Sequence, residues 1–317
     1  MDIAIDLCLD LKLYSIPNSF VQEINRRFPG VNIIYVDESE LKFQDLKNVV
    51  IYFGNRLSPD IYDLMPKLEW IHFGSAGVDR LRKIALRRDI IVTNSKGIMS
   101  RSVAVHAFSM ILYFARGLNL IANSMEKSML TRKDYDKEFE NITDLCGEKI
   151  AIFGRGGVGI FLHRALTNLN VGVDFFGRDD LATLCIDEMK QYNFVVNILP
   201  LDNKSENFFN RFFFNAMSKD AVFINVGRGE TVVEADLIDA VRNTKIRGVG
   251  LDVFCNEPLD PKSELNHLDN VLLTPHVAGL FNNYWKLEEE LFLFNLDKFN
   301  SNVNQQMRNI VSTTKNA

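Results

Sequence analysis

A glycine fingerprint set between a strand and a helix constrains this chain more than any other feature. In Lys149-Ile-Ala-Ile-Phe-Gly-Arg-Gly-Gly-Val-Gly159, the pattern G-x-G-x-x-G (Gly154, Gly156, Gly159) directly follows a buried apolar run and directly precedes the helical stretch Ile160–Leu169. Glycine turns are common, so the context carries more weight than the motif. Gly154 allows a tight turn, Gly156 lets backbone N–H groups approach a pyrophosphate, and Gly159 lets the helix sit close to the sheet. With Arg155, Gly157 and Val158 between them, these residues read as a dinucleotide cradle.

Around this segment, short β-branched runs alternate with helical patterns. The first series is Ile3–Leu9, Asn32–Val36, Asn48–Phe53, Glu69–Phe73 and Ile90–Thr93. After the helical stretch Ser102–Ile121 and the charged segment Glu126–Glu140 comes a second: Lys149–Phe153, Val171–Phe176, Phe194–Leu199, Ala221–Val226, Arg247–Asp252 and Asn270–Thr274. Such alternation predicts an α/β chain with two doubly wound parallel-sheet domains. The helical tail Phe281–Phe299 has no strand after it and is expected to pack back on the first unit.

Charge and cysteine usage exclude several function classes. With 36 Lys+Arg against 41 Asp+Glu, a net charge of −5 and no basic block, the chain lacks the electrostatic footprint of a nucleic-acid or anionic-membrane binder. The most apolar run, Val103 to Ala115, is interrupted by His106 and Ser109. It falls short of the roughly 20 residues a spanning helix needs and reads as a buried helix. Cys8, Cys146, Cys185 and Cys255 lie far apart with no C-x-x-C pair, which points to a reducing, cytoplasmic compartment and no metal.

The adenosine end of the cradle is read from the second strand of that unit. Counting about 20 residues from the first glycine reaches Asp174, but the strand ends at Gly177-Arg178. A Gly without a carboxylate leaves room for a 2′-phosphate and Arg178 offers a guanidinium for it, which favours NADP over NAD. Asp179 and Asp180 follow at once and would repel a phosphate.

Three further segments close strands on the ligand-binding side of such a sheet: Asn225-Val-Gly-Arg-Gly229, Asp252-Val-Phe-Cys-Asn-Glu-Pro-Leu259 and Thr274-Pro-His-Val-Ala-Gly279. Singly, Arg228 reads as a surface turn residue, Glu257 as a solvated acid and His276 as a loop histidine. Together they make a hydride-transfer site: Arg228 holds an α-keto carboxylate and polarises the carbonyl, His276 moves a proton, and Glu257 keeps that histidine charged.

At this point the chain resembles the D-isomer-specific 2-hydroxyacid dehydrogenases over nearly its whole length. The resemblance rests on the glycine fingerprint and on the N-x-x-R-G, D-V-F-x-x-E-P and T-P-H-x-A-G segments in order. It implies a Rossmann cofactor domain (98–279) inserted in a flavodoxin-like substrate domain (1–97), to which a C-terminal helix (280–317) returns. It assigns catalysis to Arg228, Glu257 and His276, and lines the nicotinamide site with Asn225, Val226 and Asp252. Ser75-Ala-Gly-Val-Asp79 resembles the loop whose N–H groups grip the carboxylate, through Ser75, Ala76 and Gly77. Leu199-Pro-Leu-Asp-Asn203 resembles the loop under the cofactor, with Pro200 in contact.

Two departures stand out: Val105 occupies a position that is usually Glu, and Asp202 one that is usually Thr, removing a hydroxyl near the cofactor phosphates. The implied activity is an NADP(H)-preferring, homodimeric reductase of small 2-keto acids to D-2-hydroxyacids, glyoxylate or hydroxypyruvate first. NAD as cofactor, D-3-phosphoglycerate or D-lactate as substrate type, and a non-catalytic dinucleotide-sensing protein are the alternatives. His72, His106, His163 and His267 read as structural, and Tyr284 and Trp285 as anchors of the returning helix.

Overall fold

Strands joined through crossover connections pair in parallel with their neighbours, and both sheets are built this way. The computed structural model describes residues 1–7, 15–36, 45–87, 89–120 and 142–311, and between 120 and 142 only 133, 136 and 140. The chain divides into two compact units, Met1–Met99 with Leu280–Ala317, and Ser100–Gly279.

In the first unit, β1 (Asp2–Asp6), β2 (Asn32–Tyr35), β3 (Val49–Gly54), β4 (Trp70–Phe73) and β5 (Ile91–Asn94) pair in parallel in the order β2-β1-β3-β4-β5. Period-two alternation sends Ala4 to one face and Ile3 and Ile5 to the other. On that second face, α1 (Asn18–Arg27) buries Phe20 and Ile24. On the first, α2 (Pro59–Asp63) starts at Ser58, whose Oγ accepts the Ile61 N–H. The first run is shorter than expected, ending at Asp6; Cys8 and Leu9 lie outside the described residues.

The tail packs within this unit. The last helix, Tyr284–Asn300, buries Phe292, Leu293, Leu296 and Phe299 in the cluster of Ile3, Ile5, Phe53 and Trp70. Phe292 stacks on Phe53 at 4.7 Å and on Trp70 at 5.2 Å between ring centres. A polar chain crosses the same interface: Glu288 Oε1 accepts from Ser95 Oγ at 2.9 Å and lies 2.7 Å from His72 Nε2. His72 Nδ1 lies 2.7 Å from Thr93 Oγ1, which also accepts the Trp70 Nε1–H. Tyr284 donates its hydroxyl to Gly74 O at 2.8 Å, and Trp285 packs on Phe20. Both residues thus serve as anchors.

The second unit carries α3 (Ser100–Ala115), α4 (Gly157–Thr167), α5 (Arg211–Ala216) and α6 (Glu234–Arg242), so the returning helix is α7. Its parallel strands are β6 (Lys149–Phe153), β7 (Gly172–Phe176), β8 (Phe194–Asn197), β9 (Val222–Asn225), β10 (Gly248–Leu251) and β11 (Val271–Leu273). They stand in the order β11-β10-β9-β8-β6-β7. Ile150 and Ile152 pack with α3 and α4, and Ala151 and Phe153 with α5 and α6. The chain leaves β6 towards β7 and resumes with β8 on the other side of β6. The crevice at the carboxyl ends of β6 and β8 is therefore the switch point where such sheets take ligands.

Two expectations need correction. The apolar helix ends at Ala115, not Ile121: Gly117 adopts a φ of +61°, and Ile121 lies outside the described residues. Nor is it buried along its length, because a helix on a sheet hides one stripe. Ala104, Ala107, Ile111 and Phe114 are covered, while Val105 is 57% exposed. Among the described residues, no helix is long and apolar enough to cross a membrane.

Candidate active site

The glycine loop runs from the end of β6 into α4, and its glycines divide by task. Gly154 has a φ of +134°, and a Cβ there would sit 3.0 Å from the Ile198 carbonyl. At Gly159 a Cβ would lie 2.2 Å from the Gly154 carbonyl, so helix and turn touch backbone to backbone. At Gly156 a Cβ would meet nothing within 4 Å. Gly154 and Gly159 are thus demanded by the fold, whereas Gly156 leaves open space before the first turn of α4. That space, faced by a helix start, suits a pyrophosphate. Val158 packs beside the adjoining core, and Pro200, beyond β8, is exposed with its carbonyl accepting from Ser205 Oγ.

The end of β7 carries a lattice of ion pairs. Arg178 Nη1 meets Asp202 Oδ2 at 2.7 Å, Arg155 Nη2 meets Asp180 Oδ2 at 3.0 Å, and Lys204 Nζ meets Asp179 Oδ1 at 2.7 Å. Asp180 Oδ2 also accepts the Gly177 N–H at 2.6 Å. This corrects two readings. Asp179 and Asp180 are matched by cations and do not stand as bare repulsive charges; Asp202 contributes a carboxylate bound to Arg178, more than the loss of a hydroxyl. Burial pushes the Asp202 carboxyl up, but Arg178 and the N–H groups of Lys204 and Ser205 outweigh it and hold it below the usual value. Asp174 points elsewhere, its Oδ2 accepting the Tyr192 hydroxyl at 2.9 Å.

Arg228 is set by a buried amide network at the ends of β8 and β9. Asn197 Nδ2 donates to Asn225 Oδ1 at 2.9 Å and to Thr231 Oγ1 at 2.7 Å. Asn225 Nδ2 and Thr231 Oγ1 both donate to the Arg228 carbonyl. The side chain of Asn225, expected to line the nicotinamide site, is engaged in shaping the Arg228 turn. Val226 is buried, its N–H donated to Asn197 O.

Glu257 and His276 meet. His276 Nδ1 lies 2.7 Å from Glu257 Oε2, and Glu257 Oε1 accepts the Phe254 N–H at 3.1 Å. The side chains are 49% and 36% exposed, so the pair can be reached from outside. Burial raises the Glu257 pKa, but the His276 and Phe254 hydrogen bonds and the charges of His276 and Arg228 more than offset it, leaving the carboxyl below its ordinary value.

The His276 backbone has a φ of +53°, and Asp252 enforces it. The Asp252 carboxyl, 1% exposed, accepts from Thr274 Oγ1 at 2.6 Å and from the N–H groups of Val277 and Ala278 at 2.9 Å each. Its carbonyl accepts the His276 N–H at 2.8 Å. His106, on α3, adds a contact of 3.0 Å to Thr274 Oγ1 and stands 3.7 Å from Asp252 Oδ1. Its link to the histidine-bearing turn was missed in sequence; the one available signal is an imidazole on an apolar helix.

In the first unit, the Ser75–Asp79 loop follows β4. Its carbonyls are bound from behind, Ser75 O by the Ser95 N–H and Ala76 O by Asn94 Nδ2 at 2.7 Å. Ser75 Oγ donates to Gly77 O at 3.0 Å. Among the described residues, the Ala76 and Gly77 N–H groups meet no acceptor, the disposition of an anion-binding turn.

The family model of the D-isomer specific 2-hydroxyacid dehydrogenase NAD binding domain matches residues 108–278. The chain belongs to this family. Among D-2-hydroxyacid dehydrogenase relatives, it is 30% identical over 235 residues to a glyoxylate/hydroxypyruvate reductase B of Citrobacter koseri, covering 69% of this chain and 71% of the relative. It is 28% identical over 252 residues to a glyoxylate reductase of Pyrococcus furiosus, covering 75% and 74%. The fold matches an NADPH-dependent glyoxylate/hydroxypyruvate reductase of Sinorhizobium meliloti, solved with NADP and sulfate, with a TM-score of 0.77 at 22% identity over 98% of both chains.

Proposed function

We propose that this chain is an NADP(H)-preferring reductase that converts small 2-keto acids, glyoxylate or hydroxypyruvate first, to D-2-hydroxyacids. The observation that carries the reading is the Glu257–His276 contact at an exposed strand end, in the unit that holds the glycine cradle. The cradle of Gly154, Arg155, Gly156, Gly157, Val158 and Gly159 would take the pyrophosphate, with Pro200, Val226 and Asp252 beyond it and Gly177 and Arg178 at the ribose. The bound nicotinamide supplies hydride.

The chain's own residues supply the rest. The Nε2 of His276 gives a proton to the carbonyl oxygen as it gains negative charge, while Glu257 at Nδ1 fixes the ring and compensates the imidazolium charge. Arg228 pairs with the keto-acid carboxylate and polarises the carbonyl. The Ala76 and Gly77 N–H groups, with Ser75, are assigned to the carboxylate. The domain reading is a cofactor domain of 98–279 and a substrate domain of 1–97 that 280–317 completes.

The deciding experiment is NADPH and NADH oxidation over a panel of 2-keto acids. Turnover of glyoxylate or hydroxypyruvate with NADPH preferred supports the reading; cofactor binding without turnover of any acid replaces it with the sensor. A homodimer belongs to the proposal, supported by the exposed apolar residues Val105 on α3 and Ile160 and Phe161 on α4. A monomeric mass by light scattering at micromolar concentration would reject it.

A further inference from the structure

We propose that Asp202 moderates the NADP(H) preference of this chain, acting as a fixed internal competitor for Arg178 that weakens recognition of a 2′-phosphate. The inference rests on the assignment of Arg178 to that phosphate. Three cations stand at the end of β7, and each is paired with one carboxylate: Arg155 with Asp180, Arg178 with Asp202, Lys204 with Asp179. The formal charges cancel. A basic strand end thus offers an incoming phosphate dianion far less positive potential than its three cations suggest.

Asp202 differs from the other two acids in where it is anchored. Asp179 and Asp180 belong to the same turn as Arg178, whereas Asp202 lies 24 residues on, in the loop after β8. That loop holds the carboxylate in place independently of Arg178. Asp202 Oδ1 accepts the N–H groups of Lys204 at 2.9 Å and Ser205 at 3.0 Å, and its own N–H donates to Ser205 Oγ at 2.9 Å. The Arg178 side chain is 54% exposed and the Asp202 side chain 26%. When the arginine turns to a phosphate, the acid stays behind as a partly shielded negative charge beside it. Both the lost pair and the remaining charge then act against the 2′-phosphate; neither acts on a ribose hydroxyl.

Asp202→Asn isolates this effect. The amide oxygen can keep both N–H bonds of the loop, while the negative charge that faces Arg178 is gone. The probes are 2′,5′-ADP and 5′-AMP, which differ only by the 2′-phosphate, titrated by calorimetry into the full chain, D202N, R178A and the double variant. D202N should tighten 2′,5′-ADP by roughly fivefold and leave 5′-AMP within about twofold, the gain shrinking with added salt. In the R178A background only the repulsion from the Asp202 charge is relieved, so the same change should tighten 2′,5′-ADP by no more than about twofold, clearly less than in the full chain.

If D202N leaves the 2′,5′-ADP affinity unchanged or weakens it while R178A still weakens it, Asp202 is no competitor and the Arg178 assignment survives. If R178A alone leaves 2′,5′-ADP unchanged, the phosphate assignment falls, and this inference falls with it.

Discussion

Thr274 donates its hydroxyl to Asp252 at 2.6 Å, tying the end of β11 to the end of β10. The loop bearing Glu257 leaves β10 and the turn bearing His276 leaves β11, so this bond, with the Val277 and Ala278 N–H groups on the same carboxylate, helps to hold the two side chains that meet at 2.7 Å. Asp252→Asn can offer one oxygen where two now accept, leaving a buried N–H of Val277 or Ala278 facing an NH2 group. Chemical denaturation should show a loss of about 1–3 kcal/mol, with slower turnover as the His276 turn loosens.

His276→Ala should lower turnover by about 100-fold or more while NADPH binding, followed by fluorescence, is retained. Near wild-type turnover on the best keto acid would remove the proton-transfer role.

The lowered Glu257 pKa fixes the sign of a pH effect. A carboxyl depressed by folding contributes stability above its unfolded value, about 4.3, and that contribution disappears as pH falls through the lower folded value. The urea midpoint of the wild type should therefore exceed that of Glu257→Gln at pH 6, and the gap should narrow below about pH 4. A gap that widens on acidification would contradict the pairing.

The two glycines that differ in surroundings should fail differently. Gly159→Ala forces a Cβ against the Gly154 carbonyl and should cost about 1–3 kcal/mol of stability. Gly156→Ala meets open space; it should change stability by less than about 1 kcal/mol, a cap effect, yet weaken dinucleotide binding by roughly tenfold or more. Thermal melting and cofactor titration of the two variants check this.

In the first unit, His72→Ala would leave the buried Glu288 carboxyl with Ser95 as its remaining partner among the described residues, since Oε2 has none. A destabilisation of about 3 kcal/mol is expected by chemical denaturation.

The strands were legible because their cores are β-branched runs, and misjudged at their ends, where side chains take over from the ladder. β8 stops at Asn197 because Asn197 Oδ1 accepts the Leu199 N–H in place of a strand partner. The glycine loop and the order of Arg228, Glu257 and His276 were legible as local motifs. The pairing of Arg178 with Asp202, of His72 with Glu288 and of His106 with Thr274 was not, because side chains 24, 216 and 168 residues apart leave no periodic trace in one sequence. Asn225 shows the same limit: its place at a strand end was readable, but which way its amide is spent was not.

The return of α7 also bears on the order in which the chain can assemble during synthesis. The unit Ser100–Gly279 is contiguous and can close its cores as soon as it emerges from the ribosome. Met1–Met99 is made before α7 and lacks Phe292, Leu293, Leu296 and Phe299, so Trp70 and Phe53 miss their α7 partners until that helix is made. The unit that begins earlier in the chain is the one completed later. Throughout that interval the surface that α7 later covers is apolar and unpaired with it, the kind of surface that invites association between chains.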